Sequence, residues 1–345
     1  MTAQPTTPQP GAGSPRPRVL ITGATGFIGG RLAQRLATET DYPVRGLARS
    51  PEKGRWLADL GVEIVQGDIT DPASVQAAME GCGIVYHSAA WVQETGSREE
   101  VWAVNVQGTA NVVEAALAAG VRRFIHVSSC GVYGSLQRLD IDESTPPRRS
   151  GDLYRDSKLE AEEVVLRAIQ ERGLPAVIVR PSQVYGPGSP QFTVRPVKAI
   201  QEGKMILVDG GRHLVKPVYI DNLVDALILC GEVEGIEGEI LNITDGYTVT
   251  WAEFFGAYAR MLGVEKLPSV PYPVAWLVAL LNEIRAGLQG KKATLNRKVL
   301  TTLRSRNSFS NRKARELLGW EPRVDFQEGM RRCEEWLRAE GYLGR

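Results

Sequence analysis

A chain of 345 residues, 43% hydrophobic and 23% charged with a net charge of +1, can hold one large α/β unit or two modest ones. Its balanced charge gives no field for nucleic acid, and the basic pairs Arg122-Arg123 and Lys291-Lys292 lack interleaved aromatic residues. Four cysteines without a CxxC pair and three histidines without ligand spacing argue against a disulfide framework or a metal site, and free thiols suit the cytoplasm.

Residues 1–17, rich in Pro, Thr, Gly and Gln, read as a disordered tail without an apolar signal core. Short apolar runs then predict strands at RVLITGA (18–24), PVRGLAR (43–49), VEIVQGD (62–68), IVYHSAA (84–90), RRFIHVSS (122–129) and AVIVRPS (176–182). Helical periodicity fills the gaps and is longest near 98–119 and 152–172. This alternation predicts an α/β fold: a Rossmann-type, doubly wound parallel sheet covered on both faces. VYGPGSPQF (184–192) reads as a loop, whereas LVKPVYI (214–220) and GEILNIT (238–244) read as strands able to rejoin the main sheet. The expected division is a dinucleotide-binding portion of 18–182 plus 213–244 and a smaller, discontinuous substrate-binding portion of 183–212 plus 245–345.

One later segment is unusually apolar. Val274, Leu277, Leu281, Ile284 and Leu288 follow helical spacing, so 272–289 is expected to form an amphipathic helix. The apolar run is too short to span a bilayer. Packing on its own domain is the default expectation; a lid, or a peripheral membrane contact beside Lys291 and Lys292, is the alternative.

The residues that can carry chemistry fall at strand ends. Gly23-Ala24-Thr25-Gly26-Phe27-Ile28-Gly29 lies between the first strand and the first helix, where glycines let the backbone approach a pyrophosphate at the helix N-terminus. Arg49 ends the second strand, where an acid would favour the ribose hydroxyls of NAD; a guanidinium, with Arg45 four residues earlier, suits the 2′-phosphate of NADP. Asp68 and Ile69 follow the third strand, and the small residues Ala89 and Ala90 follow the fourth. Ser128 and Ser129 end the fifth and could hydrogen-bond a substrate oxygen. Tyr154 and Lys158 lie four apart on one helix face, so an ammonium could lower the phenol's pKa and make it a working proton carrier.

With these motifs in register, the sequence resembles the extended branch of the short-chain dehydrogenase/reductase superfamily, which contains NAD-dependent epimerases, dehydratases and hydroxysteroid-type dehydrogenases. The likeness runs from about Arg18 to Leu343 through TGATGFIGG (22–30), HSAA (87–90), NVQGTANVVEAA (105–116), HVSSCGVYG (126–134), YRDSK (154–158), RPSQVYGPG (180–188) and NRKARELLGWEP (311–322). The resemblance implies that Tyr154 is the general acid/base, that Lys158 binds the nicotinamide ribose and that Ser129 polarises the substrate oxygen, with Asn105 in support. It implies that Gly23, Gly26, Phe27 and Ile28 cradle the pyrophosphate, that Asp68 and Ile69 flank the adenine and that Pro181 and Val184 lie near the nicotinamide. Cys130-Gly131 stands where dehydratases carry an acidic pair, which argues against elimination chemistry. The greasy segment after 271 is similar to the hydroxysteroid dehydrogenase and dihydroflavonol reductase-like subgroup, with Trp91 and Cys130 as candidate pocket residues. The implied activity is NAD(P)-dependent interconversion of a secondary alcohol and a ketone on a fairly apolar small molecule, with NADP favoured over NAD. A sugar-nucleotide 4-epimerase is the alternative, and a homodimer through the two long helices is the implied assembly.

Overall fold

The computed structural model describes residues 16–92, 96–289 and 297–343; all but the last two residues of the expected tail, and the Lys291-Lys292 pair, lie outside the described residues. The first half alternates strand and helix: β1 (Arg18–Thr22), α1 (Phe27–Glu39), β2 (Val44–Ala48), α2 (Arg55–Ala58), β3 (Glu63–Gln66), α3 (Pro72–Met79), β4 (Cys82–His87), α4 (Arg98–Trp102), α5 (Gly108–Ala119), β5 (Arg123–Val127), α6 (Leu153–Arg172) and β6 (Ala176–Pro181). Shorter pieces follow: β7 (Gln183–Tyr185), α7 (Arg195–Gln201), β8 (Leu207–Val208), β9 (Leu214–Val215), β10 (Pro217–Tyr219), α8 (Ile220–Glu232), β11 (Ile240–Ile243), β12 (Val249–Thr250), α9 (Trp251–Met261) and β13 (Ser269–Val270). Helices α10 (Tyr272–Leu288), α11 (Arg297–Leu303), α12 (Arg312–Leu318) and α13 (Phe326–Ala339) close the chain.

Seven strands form one parallel sheet in the order β11-β6-β5-β4-β1-β2-β3. Its strands alternate between two buried layers, as their period of two requires. Val19, Ile21, Ile84, Tyr86, Ile125 and Val127 join α1 and α8 on one face. Leu20, Val85, Phe124 and Ile178 join α3, α5 and α6 on the other. Local chemistry marks the helix ends. Asp71 caps α3 ahead of Pro72, Ser97 and Glu100 form a reciprocal capping box on α4, and Gly120 and Gly173 end α5 and α6 in the left-handed region.

Three expectations change. The long helix near 98–119 is interrupted by a wide, π-type turn at Ala103–Gln107, which carries Asn105. The 184–192 stretch is not all loop: β7 opens it and a second π-type turn spans Pro190–Val194. Of the two late strands, β11 does extend the main sheet beside β6, but residues 214–220 do not; β10 pairs in parallel with β7 and β9 pairs antiparallel with β12. The main sheet already ends at β11, so the strand after β6 turns away and starts a separate ribbon.

Candidate active site

Because the seven strands are parallel, their carboxyl ends share one edge. Strands β2 and β3 lie on one side of β1 and β4 on the other, so the connection order reverses between β1 and β4, the place where such sheets open a crevice. The β1–α1 turn sits there. Its Gly26 amide donates to the Gly23 carbonyl at 2.9 Å. Gly23 has φ +72°, and a Cβ on it would stand 2.8 Å from the Ala89 backbone; one on Gly29 would stand 2.3 Å from the Gly23 oxygen. Backbone therefore meets backbone, and only glycine fits. Gly26 caps α1 without a side chain, so the helix's first amides face outward uncovered by a capping group.

A cleft of about 1630 Å³ starts at this turn and runs across the sheet edge to α10. Its wall includes Gly23, Gly26, Phe27, Ile28, Ala90, Ser129, Cys130, Tyr154, Lys158, Pro181 and Val184, all expected from sequence. The Ser182 hydroxyl also lies on this wall and, though buried, has no hydrogen-bond partner among the described residues. A tight glycine cradle, an open helix N-terminus and an orphaned hydroxyl fit a bound dinucleotide.

Ser128 and Ser129 point to opposite sides. The Ser128 hydroxyl donates to Glu162 in the core, whereas the Ser129 hydroxyl accepts the Gly131 amide at 3.0 Å and lies on the cleft wall with Tyr154, whose pKa it pulls down. Burial pushes the Tyr154 phenol up to about 12, against the downward pull of Ser129. Lys158 donates to the Val127 carbonyl at 2.6 Å, and burial lowers its ammonium to about 8. The expected depression of the tyrosine by Lys158 is absent from this state of the chain: the ammonium is tied to the end of β5, and the charged groups that act on the phenol are Asp152 and Arg155.

Asn105 does not reach the reacting groups. Its Oδ1 accepts the Trp91 amide at 2.6 Å and its Nδ2 donates to the Ser157 hydroxyl at 2.9 Å, and Ser157 donates in turn to the Tyr154 carbonyl. It links the end of β4 to the first turn of α6, and the π-type turn brings it there. Trp91, an expected pocket residue, is not on the cleft wall; its ring lies against Gly96. The Cys130 thiol donates to the Arg180 carbonyl and is 2% exposed, and burial raises it well above the usual range, so its backbone rather than its sulfur meets the cleft.

The groups expected around the adenine stand at the β2 and β3 ends, beyond the cleft wall. Arg49 is exposed just past Ala48. Arg45 is not beside it: its guanidinium runs the other way, to the Ala78 and Glu80 carbonyls and Glu63. Asp68 closes its own turn by accepting Thr70 N–H and hydroxyl, and Ile69 packs against Gly108 beneath it.

Two buried networks went unread in the sequence. Thr22, His87 and Thr109 form a hydrogen-bonded chain under the crevice, and burial beside Lys158 drives His87 down to about 3, a neutral spacer. Glu162 and Arg180 form an ion pair at 2.5 Å with side chains 1% and 2% exposed; Arg180 also donates to the Tyr133 hydroxyl at 2.8 Å. A signal existed: Arg180 interrupts the apolar run AVIVRP, and Glu162 lies one turn beyond Lys158.

The fold and crevice define a dinucleotide-binding enzyme of the Rossmann type. The model of the NAD dependent epimerase/dehydratase family matches residues 19–244, and the chain belongs to that family, as an extended short-chain dehydrogenase/reductase and an NAD(P)-dependent oxidoreductase. It is 30% identical to a 4-hydroxy-2-methyl-3-oxo-4-farnesyl-3,4-dihydroquinoline-1-oxide ketoreductase of Stigmatella aurantiaca, over 95% of this chain and 97% of that one. It is 32% identical to a 2-alkyl-3-oxoalkanoate reductase of Shewanella oneidensis, over 92% and 85%. Among solved structures, MoeE5 in complex with UDP-glucose and NAD superposes with a TM-score of 0.75 at 26% identity, over 94% of this chain and 99% of that one.

Proposed function

We propose that this oxidoreductase reduces a ketone to a secondary alcohol, or the reverse, on a fairly apolar substrate such as a steroid, a terpenoid, a flavonoid-like compound or a β-keto lipid. The observation that carries the reading is the Ser129–Tyr154 pair at the crevice mouth, with Lys158 one turn along the same helix. A bound nicotinamide supplies or accepts hydride. Tyr154 gives its phenolic proton to the substrate oxygen in reduction and takes it back in oxidation. Ser129 holds that oxygen by a hydrogen bond. Lys158 stands to bind the nicotinamide ribose once its ammonium leaves the Val127 carbonyl. Asn105 acts through others, holding α6 and the end of β4 in register. Gly23, Gly26, Phe27 and Ile28 receive the pyrophosphate.

Apolar substrate chemistry is supported by Phe192, Trp251, Trp276, Leu303 and Phe309 along the far wall, and by the ketones in the names of the two reductases above. These side chains come from 183–212 and 245–345, the portion assigned to substrate. NADP is our favoured cofactor on the strength of Arg49 alone, now without Arg45. A dimer through α4, α5 and α6 completes the reading. The epimerase alternative draws on the likeness to a UDP-glucose complex. The distinguishing experiment supplies reduced cofactor and a panel of apolar ketones. Stoichiometric cofactor oxidation supports the proposal; a tightly retained NAD that cycles on a UDP-sugar without net oxidation refutes it.

A further inference from the structure

Helix α10 packs through a narrow seam. Ala275 and Ala279 are buried against Val208 and Leu300, and Trp276, Glu283 and Gly287 meet the cleft. The remaining face is apolar and open. Val274, Leu277, Val278, Leu281, Ile284 and Leu288 are 44–85% exposed, so with Trp276 one helix carries seven of the thirteen exposed large hydrophobic residues among those described. The stripe expected to pack on its own domain does not; the two alanines take that role. A contiguous patch of this kind marks an interaction surface.

Charge identifies what covers it. Residues 271–306 contain seven lysines and arginines and a single acid, Glu283, a net +6 in a chain whose total is +1. Glu283 is itself paired with Arg297 at 2.8 Å. Arg285 lies on the apolar face, while Arg297 stands over the Trp276 ring and Arg304 over the Tyr272 ring, 3.8 Å from Asp209. A second copy docking through the same face would bring two such segments together. An apolar helix face bordered by cations suits an anionic bilayer surface instead. No helix among the described residues is long and apolar enough to cross a membrane, so the contact is peripheral.

We propose that α10 docks the protein on anionic lipid, its apolar face in the acyl boundary and the basic residues among the headgroups. The adjacent face of the same helix lines the cleft, so docking would open the substrate end toward the lipid. That last consequence rests on the apolar-substrate reading; the docking does not.

Flotation of the full chain with vesicles tests this without turnover. With equal parts phosphatidylcholine and phosphatidylglycerol the wild type floats; with phosphatidylcholine alone it stays behind, and added salt releases it. Leu277→Glu and Leu281→Glu, both at exposed positions, each weaken binding by about tenfold or more, and Arg285→Gln by about fivefold. Thermal midpoint and cofactor affinity stay unchanged in all three. Equal flotation with both vesicle types, no flotation, or variants that float as the wild type does would overturn the proposal. A dimer that Leu281→Glu disperses, with no vesicle binding, would assign the face to a second copy and overturn it too.

Discussion

Tyr154 is a neutral phenol in this chain, held up to about 12 by burial. That favours one direction of chemistry over the other near neutrality. As an acid it is in the required protonated form at every pH below its own value, so kcat/KM for ketone reduction stays level until Lys158 begins to lose its charge at about 8. As a base it must first lose a proton, so alcohol oxidation climbs with pH, by about tenfold per unit, until Lys158 begins to lose its charge at about 8. Rate profiles in the two directions test this; oxidation that is flat from weakly acidic pH upward would contradict it. Tyr154 stood out in the sequence because YRDSK follows a glycine turn and a Ser-Ser strand end, and all three meet on one cleft wall. Its electrostatic state did not. Where Lys158 puts its ammonium depends on the Val127 carbonyl, a group on another element.

Helix α6 and strand β6 are joined beneath the site by Glu162 and Arg180, an ion pair shut away from water. Removing one partner strands the other charge, so Arg180→Met should cost about 3–5 kcal/mol in denaturant unfolding. Glu162→Leu with Arg180→Met should recover most of that loss, because neither charge then needs solvation. A single variant as stable as the wild type would show that the pair carries no such constraint. At this scale the strands and helices of the sheet were legible from apolar periodicity, since both faces are covered. The π-type turn at Ala103–Gln107 was not, because it inserts no special residue type. Helix α10 was legible as a helix from its spacing, but which side packs was not. Alanines at 275 and 279 permit a close approach that the larger stripe cannot make.

The molecule is closed by its last segment. Asn222, fully buried on α8, accepts the Arg323 and Val324 amides and donates to Asp245 and the Val324 carbonyl, while the Trp320 indole donates to the Asn222 carbonyl. Asn222→Leu removes the four side-chain bonds together, leaving the Trp320 bond to the main-chain carbonyl, and should lower stability by about 3 kcal/mol, read from the thermal midpoint; a loss within error would show the clasp to be dispensable. NRKARELLGWEP announced the closing segment, yet its anchor lies about a hundred residues upstream, a pairing that only the folded chain brings together. The same limit applies to β10, whose apolar run was visible while its partner β7 was not. The central claim is that Tyr154 carries the proton in a net transfer of hydride to an apolar ketone. Its most direct measurement follows reduced-nicotinamide consumption with such a ketone in the wild type and in Tyr154→Phe. The account predicts that kcat falls by about 10²–10⁴-fold in the variant while cofactor affinity is unchanged; full turnover by Tyr154→Phe would contradict it.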